Sequence, residues 1–185
     1  MVDAVTSEAK RKMEATLDAI AERLGGVRTG TANASLLTTL SVDAYGTQVK
    51  LQELATVSAP EPRLLIVSPF DRNILGTIQK AIQAANLGLN PQSDGNLLRV
   101  PIPALTEERR KEIVKGVRQI VEEGKVAVRN VRRDANDQLK KAQKDGTISE
   151  DDAKRGQDEI QRVTDKYVEE LDAMGQAKES EVMAV

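Results

Sequence analysis

The sequence lacks cysteine, histidine and tryptophan, and its only aromatic residues are Tyr45, Phe70 and Tyr167. Without cysteine, disulfide bonds and thiolate metal sites are excluded. Without histidine, the usual general base and the commonest neutral metal ligand are missing. Three scattered rings are too few for the stacking platform of single-strand nucleic-acid binders. We therefore expect no enzyme, and we predict neither a cofactor nor a metal site.

Long apolar runs and phosphate-binding glycine motifs are also missing. The apolar run at residues 64–67 is among the longest, and it is too short for a membrane span or a secretory leader. Neither G-x-x-x-x-G-K-[ST] nor G-x-G-x-x-G occurs. These absences favour a cytoplasmic protein that stays out of membranes.

Charge and proline divide the chain into two kinds of sequence. Residues 30–105 contain ten charged side chains, five of each sign, and all six prolines lie between Pro60 and Pro103. The flanking segments are rich in charge and free of proline. Because such a change in composition marks a domain boundary, we expect residues 1–29 plus 106–185 to form one discontinuous domain. Residues 30–105 would form a second, inserted domain.

The two flanking segments have apolar residues at helical spacing. The first predicts a helix over residues 3–24, which Gly25-Gly26 weakens or ends. The second predicts a helix from the N-cap Thr106 to about Lys144, with Ile120 at the centre of its buried stripe.

A third helix is predicted after the break at Asp145-Gly146. Thr147 or Ser149 would cap it, with Glu150 or Asp152 three residues later as the capping-box partner. One shorter and two long amphipathic helices predict a three-helix bundle.

The inserted segment has the shorter patterns of strands and turns. Alternation at residues 40–44 and the run at 64–67 predict strands, and Asp71 is a helix N-cap. Asp94-Gly95 predicts a hairpin turn before the strand at 97–100. The segment is therefore a small mixed α/β domain, and the fold class is α+β.

Two crossings of the chain join the predicted domains. Glycine or proline lies beside each crossing, so we predict a two-stranded hinge. Its residues are Gly30, Thr31, Ala104 and Leu105.

The two long helices carry opposite charge. Residues 107–144 contain twelve basic and seven acidic side chains, whereas residues 147–185 contain five basic and eleven acidic ones. On a wheel at about 100° per residue, one row of cations lies to the side of the buried stripe. This row, the basic ridge, consists of Lys111, Lys115, Arg118, Lys125, Arg129, Arg132 and Arg133.

Two interpretations of the basic ridge follow. It is either a solvated helix face that pairs with the acidic third helix, or a docking face for an acidic ligand. Arginine suits bidentate contact with phosphate, and no catalytic apparatus accounts for the ridge otherwise. We therefore favour docking. The ligand would be RNA, or else an acidic protein that a coiled-coil chaperone or scaffold binds.

Several short motifs also indicate a resemblance to a known protein family. They are VRTG at 27–30, LGLNP at 87–91, LRVPIPALTEERRKE at 98–112, KVAVRNVRRDAND at 125–137, ISEDD at 148–152 and TDKY at 164–167. Along essentially its full length the chain resembles the bacterial ribosome recycling factors.

This resemblance implies a three-helix bundle with an inserted small β/α/β domain, L-shaped and similar to transfer RNA in outline. It implies a monomer that binds the large ribosomal subunit through ribosomal RNA. With elongation factor G and GTP, such a factor splits the post-termination ribosome into subunits, and the GTPase is the partner.

The resemblance also assigns residues to the RNA interface. Arg132 matches an arginine that family members need for function. Arg129, Arg133, Arg110 and Arg28 match further RNA-facing positions. Together with Lys125, Arg118 and Lys111 of the basic ridge, they are the predicted RNA-binding residues.

The chain departs from the family pattern directly after VRTG. The family usually has Arg-Ala-x-Pro there, whereas this chain has Thr31, Ala32, Asn33 and Ala34. A cation and a rigid proline near the predicted hinge are therefore missing, which leaves the resting angle between the domains open.

Overall fold

The computed structural model describes residues 1–184, which form two compact units. One, the helical unit, contains Met1–Thr29 and the chain from Glu107 onward. The other, the small unit, is Gly30–Thr106. In chain order the elements are α1 (Val2–Gly25), α2 (Ser35–Thr38), β1 (Ser41–Ala44), β2 (Thr47–Lys50), α3 (Leu51–Leu54), β3 (Ala55–Glu61), β4 (Leu64–Pro69), a 3-10 turn (Arg72–Ile74), α4 (Leu75–Ala84), β5 (Gln92–Asp94), β6 (Leu97–Pro101), α5 (Glu107–Lys144) and α6 (Glu150–Met183).

The three predicted long helices are confirmed as α1, α5 and α6. Helix α1 ends at Gly25, with Gly26 as its C-cap. Helix α6 is capped by Ser149, whose hydroxyl oxygen accepts a hydrogen bond of 3.0 Å from the Asp152 N–H. None of the helices in residues 1–184 combines the length and apolarity needed to cross a membrane.

Glycines allow the three helices to pack closely, and Gly124 and Gly175 are two examples. A Cβ on Gly124 of α5 would lie 2.8 Å from Ile20 Cγ1 of α1, and a Cβ on Gly175 of α6 would lie 2.8 Å from Val121 Cγ2 of α5. Both distances are below van der Waals contact, so side chains of the neighbouring helices occupy the space that a Cβ would need.

The predicted buried stripe of α5 is only partly confirmed at its centre. Ile120 is half-buried at the margin of the core, whereas Val121 is 6% exposed. Because α5 packs against both α1 and α6, its buried face is wider than a single stripe, and Val121 lies on the side that meets α6.

The small unit contains a four-stranded antiparallel sheet in the order β3-β4-β6-β5 and a separate hairpin of β1 and β2. Val67 pairs with Leu98 and Leu65 with Val100, and all four side chains are fully buried. Helix α4 contributes Ile78 and Ile82 to the same core.

Most predicted features of the small unit are confirmed. Asp71 accepts a hydrogen bond of 2.9 Å from the Asn73 N–H at the start of the 3-10 turn that leads into α4. Strand β3 was not predicted. It lies at the edge of the sheet with most of its side chains exposed, and it includes Pro60, which an edge strand tolerates.

Candidate nucleic-acid interface

The basic ridge lies along α5, and one flank of it faces α6. Arg118 Nε donates to Glu179 Oε1 at 2.8 Å, and Arg118 Nη2 donates to Glu179 Oε2 at 3.3 Å. This hydrogen-bonded carboxylate raises the pKa of Arg118. One heptad later, Lys125 forms an ion pair with Asp172 and is only 18% exposed. For these two cations the structure favours the first interpretation, pairing with the acidic helix.

Arg132 occupies the next heptad position on the same flank, but its partner is neutral. Its Nη1 donates a long hydrogen bond of 3.4 Å to Oε1 of Gln161 in α6. The Gln161 amide nitrogen in turn donates to Asp165 Oδ1 at 2.8 Å. Within residues 1–184 Arg132 forms no ion pair, so its charge is not cancelled by a neighbouring carboxylate.

The other flank of the basic ridge turns towards solvent. Lys111 pairs with Glu107 one turn away at 3.1 Å. Arg129 Nη1 lies 3.7 Å from Glu122 Oε1, which is too long for a hydrogen bond. Arg133 is exposed and has no ion pair in the described part of the chain.

The cations of α5 therefore differ in how far they are neutralised. Arg118 and Lys125 are held by carboxylates of α6, whereas Arg129, Arg132 and Arg133 have no hydrogen-bonded carboxylate among the described residues. We call the latter three the arginine cluster. Three guanidinium ions within about one turn of helix, with only the longer ion pair of Arg129 to Glu122 among them, suit phosphate or another dense anion.

Arg110 and Arg28 lie apart from the arginine cluster along the chain. Arg110 is in the first turn of α5, about 33 Å along the helix axis from Arg132 at 1.5 Å per residue. It is half-buried, and its Nε atom is buried without a hydrogen-bond partner. Arg28 is exposed in the segment that follows α1. Arg110 therefore lies outside the local patch around Arg132.

The predicted hinge residues lie in the small unit. Gly30 has a φ of +76°, and a Cβ there would lie 3.2 Å from Leu105 Cδ1. Thr31 and Ala104 are exposed. Next to them, the Ala32 N–H donates to the Pro62 carbonyl at 2.6 Å, and the Ile102 N–H donates to the Arg63 carbonyl at 2.8 Å. Both crossing segments are thus tied to the turn between β3 and β4.

Two residues near Arg132 were missed by the sequence reasoning. Gln161 contacts Arg132 from α6, and the Oδ1 atom of Asn136, one turn after Arg132, is buried without a hydrogen-bond partner. The wheel of α5 places Asn136 beside the ridge, but nothing in the sequence indicates which α6 residue would face Arg132.

Comparisons with known proteins all point to one family. A family model described as "Ribosome recycling factor" matches residues 20–183. The ribosome-recycling factor of Bacillus pumilus is 51% identical over 181 residues, and that of Bacillus subtilis is 50% identical over 181 residues. In both cases the match covers 98% of this chain and 98% of the relative.

Solved structures agree with the sequence comparisons. A solution structure of the ribosome recycling factor has a TM-score of 0.78 and 38% identity, covering 100% of this chain and 98% of that one. Another structure is described as models for the T. thermophilus ribosome recycling factor and the E. coli elongation factor G bound to the E. coli post-termination complex. Its matched chain has a TM-score of 0.65 and 45% identity, with both chains fully covered.

Proposed function

The chain belongs to the ribosome recycling factor family, and on that premise we propose that it binds the large subunit of the post-termination ribosome. Together with elongation factor G and GTP it splits that ribosome into subunits. The resemblance of its motifs to this family is confirmed. A relative described with elongation factor G on the post-termination complex supports the choice of partner.

The arginine cluster is the observation that carries the RNA-binding part of the proposal. No carboxylate among the described residues is hydrogen-bonded to Arg129, Arg132 or Arg133, and only Arg129 has an ion pair, the longer one to Glu122. Most of the other ridge cations are held in ion pairs. Ribosomal RNA supplies phosphate oxygens that each guanidinium can bind through two hydrogen bonds. Arg118, Lys125 and Lys111 then contribute to the surrounding potential more than to direct contacts, because each already has a carboxylate partner.

The factor itself has a mechanical role in this proposal. It binds, orients and transmits a movement, while the GTPase partner supplies the free energy of GTP hydrolysis. It works in the cytoplasm as a monomer, without a cofactor of its own.

The crossings between the two units serve as the hinge. Gly30, Thr31, Ala104 and Leu105 lie where the chain passes between units whose cores are separate. Reorientation therefore need not disturb either core. Shortening one crossing by two residues should leave large-subunit binding nearly intact and abolish splitting. Normal recycling by the shortened protein would exclude the hinge from the mechanism.

The decisive experiment measures binding to purified large subunits at several salt concentrations. We expect Arg132→Ala to weaken binding about ten-fold at low salt, since a charge-assisted hydrogen bond is lost. The slope of log affinity against log salt should fall by about one. Arg132→Lys should restore only part of the affinity, because lysine cannot form the bidentate contact.

Arg11→Ala is the matched control. Arg11 is an exposed arginine on α1 that pairs with Glu8 of the same helix at 2.7 Å, so its removal should change binding little. The unfolding free energies of both variants, measured by thermal melts, should lie within about 0.5 kcal/mol of the parent. If Arg132→Ala unfolds the bundle while its folded fraction binds normally, Arg132 is structural. Binding to acidic proteins in preference to large subunits would instead support a scaffold function.

A further inference from the structure

The seam between α5 and α6 follows one antiparallel register. Arg118 meets Glu179, and Lys125, seven residues later, meets Asp172, seven residues earlier. Continued by one more heptad, the same register opposes Arg132 to Asp165. A third ion pair would be expected there, but the structure has none.

Gln161 forms hydrogen bonds with both of the expected partners. Its amide nitrogen donates to Asp165 Oδ1 at 2.8 Å, and its carbonyl oxygen accepts from Arg132 Nη1 at 3.4 Å. Asp165 and Gln161 are four residues apart on α6, so the contact between them lies along one face of the helix. The carboxylate is thereby engaged by an amide of its own helix instead of by the guanidinium across the seam.

The orientation of the Gln161 amide follows from its two neighbours. Asp165 offers only an acceptor and Arg132 offers only donors. Turning the amide over would bring its hydrogens against the guanidinium and its carbonyl oxygen against the carboxylate. One orientation therefore satisfies both neighbours, and it leaves Arg132 hydrogen-bonded to a neutral group.

We infer that Gln161 is a positioning residue: it keeps Asp165 from forming an ion pair with Arg132, and it so leaves the Arg132 guanidinium available to RNA. A neutral acceptor limits the motion of the guanidinium without neutralising it, whereas a carboxylate would do both. The contact with Gln161 is long, so RNA phosphate can replace it at little cost. This inference rests on the proposed function, because it assumes that Arg132 binds ribosomal RNA.

The test compares Gln161→Ala with the double variant Gln161→Ala plus Asp165→Asn in large-subunit binding. Removing the amide frees Asp165 to pair with Arg132, so Gln161→Ala should weaken binding about five-fold and reduce its salt dependence. Asp165→Asn should then restore binding, because no carboxylate is left to neutralise Arg132. A residue with a merely structural role would not be rescued in this way.

Gln176→Ala is the control for side-chain loss on α6. Gln176 is exposed on the same helix, about 22 Å from Gln161 at 1.5 Å per residue, so its removal should leave binding unchanged. Gln161→Glu should weaken binding more than Gln161→Ala, since it places a second carboxylate beside Arg132. Melting temperatures of all these variants should stay within about 2 °C of the parent.

The Arg132→Ala background separates the two ideas. There, Gln161→Ala should have no further effect on binding. If Arg132→Ala alone leaves binding unchanged, the RNA contact in the proposed function is wrong. If Arg132→Ala weakens binding but Gln161→Ala does not, or if Asp165→Asn fails to rescue, the role assigned to Gln161 is wrong and the RNA contact stands.

Discussion

The helical unit and the small unit bury their apolar residues in different ways. The helical unit has a long narrow core along three helices, which leaves most of each helix surface in water and covered with charge. The small unit packs strands and one helix around a compact core that includes Leu65, Val67 and Ile78. It has few charges and no excess of either sign. A binding surface made of charge therefore needs the helical unit, where exposed helix face is plentiful.

The three aromatic residues are buried in the helical unit and exposed in the small unit. Tyr167 is 3% exposed in the helical core, whereas Tyr45 and Phe70 are each 70% exposed in the small unit. Aliphatic side chains thus fill the core of the small unit, and its rings lie outside.

The largest expected effect on stability comes from substitutions that disrupt one core at a time. Leu171→Ala in the helical unit and Ile78→Ala in the small unit each remove a side chain that is fully buried. Each should lower the free energy of unfolding of its own unit by about 2–5 kcal/mol. Hydrogen exchange resolved by residue should show lost protection in the mutated unit only. Equal loss in both units would show that the two cores fold as one.

Glycine at the helix crossings gives the next effect. Gly124→Ala would place a Cβ 2.8 Å from Ile20 and 3.3 Å from Leu171 Cδ2, so it should destabilise the helical unit by about 1–3 kcal/mol. Gly116, on the same helix, has no atom within 4 Å of such a Cβ. Gly116→Ala should therefore stabilise the unit by up to about 1 kcal/mol through helix propensity. Thermal melts that ranked the two variants equally would contradict this packing.

The buried tyrosine makes the stability of the helical unit depend on alkaline pH. Burial, together with the hydrogen bond from its hydroxyl to Glu14 at 2.8 Å, raises the pKa of Tyr167 to about 12 from its ordinary value of 10.0. Because the folded-state pKa is the higher one, the stability that neutral Tyr167 contributes is fully present below pH 10. It is lost as the pH rises towards about 12.

Tyr167→Phe isolates this contribution. The difference in unfolding free energy between the parent and this variant should be constant below pH 10 and should change between pH 10 and about 12. Chemical denaturation at a series of pH values measures it. A difference that did not vary with pH would mean that Tyr167 ionises as readily in the folded protein as in the unfolded chain.

The smallest effect concerns the exposed tyrosine. The Tyr45 hydroxyl donates to Asp71 Oδ2 at 2.6 Å, which lowers the pKa of Asp71 below its ordinary value of 3.8. Tyr45→Phe should raise the pKa of Asp71 and change stability by no more than about 0.5 kcal/mol, as expected for an exposed site. The stabilisation from Asp71 is present above pH 3.8 and is lost as the pH falls through its lowered pKa. Carboxyl titration by NMR would detect the change, and an unchanged Asp71 pKa would exclude the hydrogen bond.

Local signals in the sequence predicted most of the secondary structure. Helices α1, α5 and α6 follow from apolar periodicity, and Ser149 and Asp71 act as caps because a short polar side chain can reach a free N–H of the next turn. Strand β3 was not predicted because it is an exposed edge strand with little apolar alternation. Val121 escaped because two neighbouring helices widen the buried face of α5.

The sequence by itself determined which cations share one side of α5, since the angle between residues on a helix depends only on their separation along the chain. Only the tertiary structure decided which of those cations form ion pairs with carboxylates of α6. The register between α5 and α6 brings Glu179 to Arg118 and Asp172 to Lys125. At Arg132 the hydrogen bond goes instead to the neutral amide of Gln161. Which partner each cation meets depends on side chains far away in the chain, and so on packing rather than on the pattern of one helix.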